Sequence, residues 1–202
     1  SVFDREARDD NAAIDAGLRF PVPAFVSDTD FQRRDIALSV NRNLRTGASL
    51  VAGAELADED GQLDSGGDFF GSGSPQTLNV RLERETTAVF LEGRFPLLSG
   101  LTGQLGLRHD RVDEGDSSDS ETTPHLGLVW ALPDNATTLK ANYNEGFKPP
   151  SFFALGFPLG GNPALDPERS RNVDLTVSRR IDAAGSALQL SVFKTHYEDL
   201  VD

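Results

Sequence analysis

The chain has 202 residues and a net charge of −13, because 19 Lys and Arg stand against 32 Asp and Glu. Such an acidic balance argues against a nucleic-acid backbone as partner. The chain has no cysteine, so disulfides and thiolate metal sites are excluded. No apolar run approaches the ~18 to 20 residues of a membrane helix, which excludes a helical membrane protein but not a membrane β-barrel.

Apolar residues recur at every second position in nine segments, and this period predicts β-strands. In chain order, the predicted strands cover residues 12–20, 35–44, 48–58, 83–95, 101–112, 122–132, 137–146, 171–181 and 187–197. Most are about 9 to 12 residues long, which exceeds the usual strand length of a soluble sheet and suits a tilted strand that crosses a membrane.

The connections between these strands are predicted to alternate in length. Short turns are expected near Arg45, Leu97, Pro133 and Ala183, and long polar loops near Pro21, Glu59, Asp113 and Phe147. A soluble β-sandwich also alternates in polarity along its strands, but it has no reason to sort its loops by length. The sequence therefore predicts an all-β antiparallel meander of about nine long strands, forming part of a transmembrane outer-membrane β-barrel.

The stretch from Tyr143 to Ser170 reads YNEGFKPPSFFALGFPLGGNPALDPERS and is the longest predicted connection with apolar content. Its prolines and glycines exclude a continuous helix and a central strand. Disordered segments lack so many phenylalanines and leucines. We therefore expect an ordered, functional loop that packs on a larger surface.

The same stretch resembles the late-barrel segment of TonB-dependent outer-membrane receptors. The residues that carry the resemblance are Gly146, Phe147, Lys148, Pro150, Ser151, Asn162, Pro163, Leu165, Pro167 and Glu168. One position departs from the pattern, because Asp166 stands where a basic residue is frequent. A charge contact made at that position in other receptors is therefore not expected here.

The resemblance implies that residues 1–202 are a partial barrel domain of such a receptor, without the plug, the energy-coupling box and the terminal strand. It implies import of a scarce ligand, such as a ferric siderophore or cobalamin, across the outer membrane of a Gram-negative bacterium. The implied partners are outer-membrane lipid and lipopolysaccharide, a small metal chelate or vitamin, and the TonB complex, reached through the missing N-terminal part. A fragment with fewer than half of roughly 22 strands is not expected to close or to transport alone.

Two other functions stay open on sequence grounds, a passive porin-like barrel and a soluble β-rich binding or adhesion module. Catalysis is not expected, because no serine, histidine and carboxylate set shares a plausible locus and no phosphate-binding glycine loop follows a strand. The protein is therefore predicted not to be an enzyme, and no catalytic residue is assigned.

Aromatic loop residues are the candidates for ligand contact, since aromatic loops contact substrate in many members of the resembled family. They are Phe147, Phe152, Phe153 and Phe157. The alternative is that these rings pack the loop onto the rim of the barrel, because an ordered loop needs buried apolar surface.

Two acidic stretches are candidates for Ca²⁺, which prefers clustered oxygen ligands on flexible loops. Their aspartates are Asp58, Asp60, Asp64, Asp68, Asp113 and Asp116. Solvated charge is the alternative, because neither stretch has the spacing of an EF-hand loop. No other cofactor is expected.

Overall fold

The computed structural model describes residues 2–11, 25–45, 47–67, 74, 76–115, 117–134, 136–156, 161–162, 164–181 and 185–200. The strands are β1 (Val2–Asn11), β2 (Phe25–Asn43), β3 (Ser49–Gly67), β4 (Gln76–Leu98), β5 (Leu101–Glu114), β6 (Ser117–Ala131), β7 (Thr137–Lys148), β8 (Glu168–Arg180) and β9 (Ala187–Glu198). One short helix, α1 (Phe152–Gly156), lies between β7 and β8.

All nine described strands form one antiparallel sheet in which each strand pairs with its neighbours in the sequence, from β1 to β9. The predicted antiparallel meander is therefore confirmed. We call the end that carries the β2–β3, β4–β5, β6–β7 and β8–β9 connections the lower end. The opposite end, which carries the β3–β4, β5–β6 and β7–β8 connections, is the upper end.

One face of the sheet, here called the outer face, carries large apolar side chains in open positions. Leu38 is 72% exposed and Leu91 is 56% exposed. Among the described residues, no large side chain is fully buried. The sheet therefore has no enclosed hydrophobic core, and a continuous apolar surface of this kind marks a face that contacts lipid or another molecule.

The opposite face, here called the inner face, is polar in the lower part of the sheet. Side chains of different strands join there by hydrogen bonds. Gln104 with Glu92 (2.7 Å) and Asn142 with Asp174 (2.9 Å) link neighbouring strands, and Arg108 of β5 reaches Glu55 of β3 (2.7 Å) across β4. These cross-strand pairs stabilise the ladder and leave a hydrophilic wall.

The strands extend further at the upper end than the sequence predicted. The polar stretch 4–11 belongs to β1, and β2 begins at Phe25. Residues 59–67 of the first expected loop are strand, as are 113–114 and 117–121 of the second, whereas 68–73, 75 and 116 lie outside the described residues. The prediction of a loop over 59–67, 113–114 and 117–121 is wrong, because backbone pairing and cross-strand polar contacts sustain a ladder even where the outer face carries no apolar residues. The predicted strand 12–20 lies outside the described residues.

The sheet divides at its upper end between β6 and β7. Within the described residues, the ladder that joins these strands covers only 125–131 and 138–144. It stops at His125, next to Pro124, which has no N–H to donate to a neighbouring strand. Above this fork, Arg169 of β8 reaches Glu121 of β6 through an ion pair.

Candidate functional site

The connection between β7 and β8, residues 149–167, is here called the motif loop. Lys148 and Glu168 are paired neighbours at the ends of the two strands, and their side chains form an ion pair of 3.1 Å. The base of the loop is therefore closed by both the ladder and a charge contact.

Local hydrogen bonds stabilise the described parts of the motif loop. The Ser151 hydroxyl accepts from the backbone N–H of Ala154 at 3.1 Å, which caps the first turn of α1. The backbone N–H of Asn162 donates to the Ala154 carbonyl at 2.8 Å, and the Asn162 side chain accepts from the N–H of Ala164 at 3.0 Å. Ser151 and Asn162 thus shape the loop, while Pro163 lies outside the described residues.

Helix α1 folds back onto the upper inner face of β3 and β4. The Phe152 ring covers Gly61, where an added Cβ would lie 2.4 Å from Phe152 Cδ2. The ring also meets Phe31 edge-on at a centroid distance of 5.9 Å. Leu155 is buried, and an added Cβ at Gly156 would lie 2.5 Å from Val80 Cγ1. The loop is therefore docked on the sheet by apolar packing.

Arg84 of β4 lies under the docked loop with its side chain only 9% exposed. Its guanidinium donates to the Pro150 carbonyl and to the Glu114 carboxylate, and lies 3.4 Å from Glu59. Its Cζ is 4.7 Å from the centroid of the Phe152 ring, in cation–π geometry. Arg84 therefore joins two strands to the motif loop.

A pocket of about 740 Å³ opens between the motif loop and the upper inner face. Its aromatic and charged lining residues are Phe3, Arg5, Phe31, Arg33, Glu59, Arg84, Asp110, Phe147, Lys148, Phe152 and Phe153. The structure brings three of the four candidate phenylalanines together here, and Phe157 lies outside the described residues. Phe152 is packed against the sheet, whereas Phe153 is 64% exposed. Ligand contact by these rings stays a prediction.

Sequence analysis missed Arg84, Glu59, Phe31 and Gly61 as parts of this site. Gly61 carried a usable signal, because a glycine inside a strand often marks the close approach of another group. That signal was lost because the sequence assigned Gly61 to a loop, where glycine is ordinary.

The calcium candidates are spread along strands. Asp58, Asp60 and Asp64 lie on the same face of β3, two and four residues apart. Asp60 accepts a hydrogen bond from Arg81 at 2.9 Å. Asp113 accepts from Arg111, which holds the pKa of that carboxyl below its ordinary value. Among the described residues, no group of three or more His, Cys, Asp or Glu is arranged to hold a metal. Asp68 and Asp116 lie outside the described residues, and calcium binding stays a prediction.

The apolar outer face, the polar inner face and the pocket at one end define a class of protein, the wall of a membrane β-barrel with a pocket at its rim. In the part of the chain that the structure describes, no helix is long and apolar enough to cross a membrane. The profile of the family "TonB dependent receptor-like, beta-barrel" matches residues 3–202. The chain belongs to this family. It is a protein of the Gram-negative outer membrane, from a family of receptors and not of enzymes, as the sequence predicted.

Curated relatives and solved structures agree with this assignment. The chain is 32% identical over 97 residues to the vitamin B12 transporter BtuB of Photobacterium profundum, covering 48% of this chain and 15% of the relative. It is 25% identical over 154 residues to BtuB of Vibrio vulnificus, covering 76% of this chain and 23% of the relative. The chain thus spans less than a quarter of the length of these relatives.

Among solved structures, the ferric yersiniabactin uptake receptor FyuA of Yersinia pestis superposes with a TM-score of 0.69 at 18% identity, covering 98% of this chain and 33% of FyuA. The copper transporter OprC superposes with a TM-score of 0.67 at 16% identity, covering 90% of this chain and 33% of OprC. At this identity the likeness concerns the fold, and it supports the predicted outer-membrane barrel architecture.

Proposed function

We propose that this chain forms part of the barrel wall of a TonB-dependent importer that captures a metal chelate or a vitamin, such as a ferric siderophore or cobalamin. Family membership and the likeness to two vitamin B12 transporters support the proposal. The observation that carries it is the pocket under the motif loop, because it lies on the inner face, at the upper end of the wall.

The chemistry of this pocket suits a large ligand with flat and charged parts. Its volume of about 740 Å³ falls within the range of small-molecule sites. Phenylalanine rings offer apolar contact area, and Arg5, Arg33 and Lys148 add positive charge near the Asp110 carboxylate. A chelate or corrinoid with a rigid ring and anionic or amide groups would use both.

The remaining partners in the proposal follow from the orientation of the sheet. The lower, apolar part of the outer face would contact outer-membrane lipid. The upper, polar part of the same face would contact lipopolysaccharide or water. Energy would reach the pocket from the TonB complex through parts of the receptor outside these residues. A passive porin would need no such input.

Substitution of Phe153 by alanine in the full-length receptor tests the proposal. We expect a weakening of roughly 1 to 2 kcal/mol, about tenfold in Kd, for the ligand that the wild type binds from a panel of ferric siderophores, haem and cobalamin. Binding to purified receptor and uptake by cells would both be measured.

The matched control is Phe95→Ala, which removes the same ring from the outer face near the lower end. It should leave ligand affinity unchanged. The proposal fails if wild-type receptor binds nothing in the panel, or if uptake continues after the proton gradient is collapsed, since that result indicates passive diffusion.

A further inference from the structure

Arg84 is the point at which the motif loop, the sheet and the pocket meet. Its partners come from different parts of the chain: Glu59 in β3, Glu114 at the end of β5, the Pro150 carbonyl and the Phe152 ring. Pro150 is 66 residues away in the sequence. A side chain with partners on this many elements determines their relative position.

The arrangement needs the geometry of a guanidinium. One planar group places its Cζ over the Phe152 ring and directs its N–H donors to two carboxylates and a carbonyl. Lysine keeps the charge but loses the planar fork and the stacking face. The contact is also shielded from water, which strengthens both the cation–π contact and the hydrogen bonds.

The charge of Arg84 is already balanced without a ligand. Glu114 and Glu59 accept from it, and Glu59 also accepts from Arg33 at 2.7 Å. Because its donors are used by the sheet and the loop, Arg84 is suited to hold the pocket wall in place and not to bind an anion itself.

We propose that Arg84 is a positioning residue for ligand capture: with Gly61 it clamps Phe152, and this clamp sets the motif loop at the height where Phe153 lines the pocket. The clamp is defined as Arg84, Gly61 and Phe152. This inference rests on the proposed function, because the affinity that it controls is that of the same pocket.

Two substitutions disrupt the clamp by independent routes. Arg84→Lys removes the fork and the stacking face. Gly61→Ala places a methyl group where the Phe152 ring lies, at a residue that does not line the pocket and has no positive φ. If both variants weaken ligand binding, the effect passes through the loop and not through a contact between Arg84 and ligand.

Each variant has a matched control in the same strand. Arg81→Lys alters an exposed outer-face arginine of β4 that pairs with Asp60 at 2.9 Å. Gly66→Ala adds the same methyl group in β3, where nothing lies within 4 Å of the added Cβ.

The position of the loop is measured without any ligand. Leu155→Cys places a thiol at a position that is 8% exposed, and its rate of maleimide labelling reports on undocking, because the 202 residues contain no native cysteine. We expect labelling about tenfold faster in Arg84→Lys and Gly61→Ala than in the two controls. In receptors without the added cysteine, we expect Kd about tenfold weaker in the same two variants.

Heat-modifiable mobility in detergent confirms that each variant assembles, and Gly61→Ala carries the test if Arg84→Lys does not assemble. Unchanged labelling in the clamp variants overturns the proposal. Faster labelling with an unchanged Kd also overturns it. A Kd change in Arg84→Lys without one in Gly61→Ala overturns it as well, because that result indicates direct contact between Arg84 and the ligand. If the wild type binds no ligand in the panel, the proposed function fails, while labelling still decides whether the clamp holds the loop.

Discussion

The lower and upper parts of the sheet use opposite polarity on the same strands. In the lower part of β2, the outer face carries Ile36, Leu38 and Val40, while the inner positions between them are small or polar. In the upper part, the outer positions of β3 are Asp58, Asp60, Gln62 and Asp64. The inner face there carries Phe31, Leu82 and the docked Phe152. Apolar and polar sides therefore exchange along one strand.

The exchange occurs at one level across three strands. Arg34, Asp58 and Glu85 are successive partners in the ladder, and each is the first charged outer residue above the apolar band. In β5 the first charged outer residue is Arg111, one outer position below Asp113, which is the partner of Glu85. A tilted strand needs about 9 to 11 residues to cross a membrane, and β4 has 23. Side chains alternate between the two faces along the whole strand. The environment at each height, lipid at the outer face below and the docked loop at the inner face above, decides which face carries the apolar residues.

The largest expected effect comes from placing charge in the apolar band. Leu91→Arg should destabilise the folded receptor by about 2 to 4 kcal/mol, because a charged side chain at this depth must leave water. Denaturant unfolding in lipid vesicles measures the change.

Thr77→Arg is the matched control, since Thr77 is an exposed outer residue of the same strand above the charged level. Its expected effect is about 0 to 1 kcal/mol. Equal destabilisation by the two substitutions would contradict the division of the outer face into two environments.

A smaller effect is expected at the fork between β6 and β7. Glu121→Gln removes the ion pair with Arg169 that links β6 to β8 above His125, across the gap left by the fork. Exposed ion pairs contribute at most about 1 kcal/mol, so we expect faster hydrogen exchange in residues 145–148 and little loss of global stability.

Glu83→Gln is the corresponding control, because it removes an exposed contact with Arg81 inside a continuous ladder. It should leave exchange at 145–148 unchanged. If Glu121→Gln behaves in the same way, the ion pair does not hold the fork.

The smallest effect belongs to a lower turn, where a carboxylate caps backbone groups. Asp134 accepts from the Thr137 hydroxyl and from the N–H groups of Thr137 and Ala136, and these bonds hold its pKa below the ordinary value. The ionised Asp134 carboxylate therefore stabilises the turn fully above the ordinary aspartate pKa of about 3.9. This stabilisation is lost as pH falls through the lower pKa that Asp134 has in the folded protein.

Hydrogen exchange of the Ala136 and Thr137 amides between pH 5 and pH 2, corrected for the intrinsic pH dependence of exchange, should show this loss of protection. Asp134→Asn keeps an acceptor that does not titrate in this range, and its protection should not follow the same curve. Protection that stays constant in the wild type would remove the capping role.

Prediction from sequence succeeded where alternation is driven by an apolar face. Ile36, Leu38 and Val40 predicted the lower part of β2, and Leu126, Leu128 and Trp130 predicted that of β6. It failed above this level, where Asp60, Gln62 and Asp64 resemble a loop by composition. This part of β3 is a strand because β2 and β4 pair with it on either side. No pattern within the segment itself predicts that pairing.

The candidate site divides in the same way. The phenylalanines of the motif loop were predictable because a proline- and glycine-rich loop with apolar side chains must pack on something. Arg84 was not, because its role depends on groups far away in the sequence, and an isolated arginine between Glu83 and Glu85 looks like ordinary surface charge.

The sequence alone determined the fold class, the outer face of the lower strands and the family, because period-two alternation and the motif of residues 146–168 are local patterns. Only the tertiary structure decided the height of the strands, the fork at Pro124 and the clamp of Arg84 and Gly61 on Phe152. The physical reason is that ladder pairing and close packing are properties of residues brought together by the fold, and composition along a single segment does not contain them.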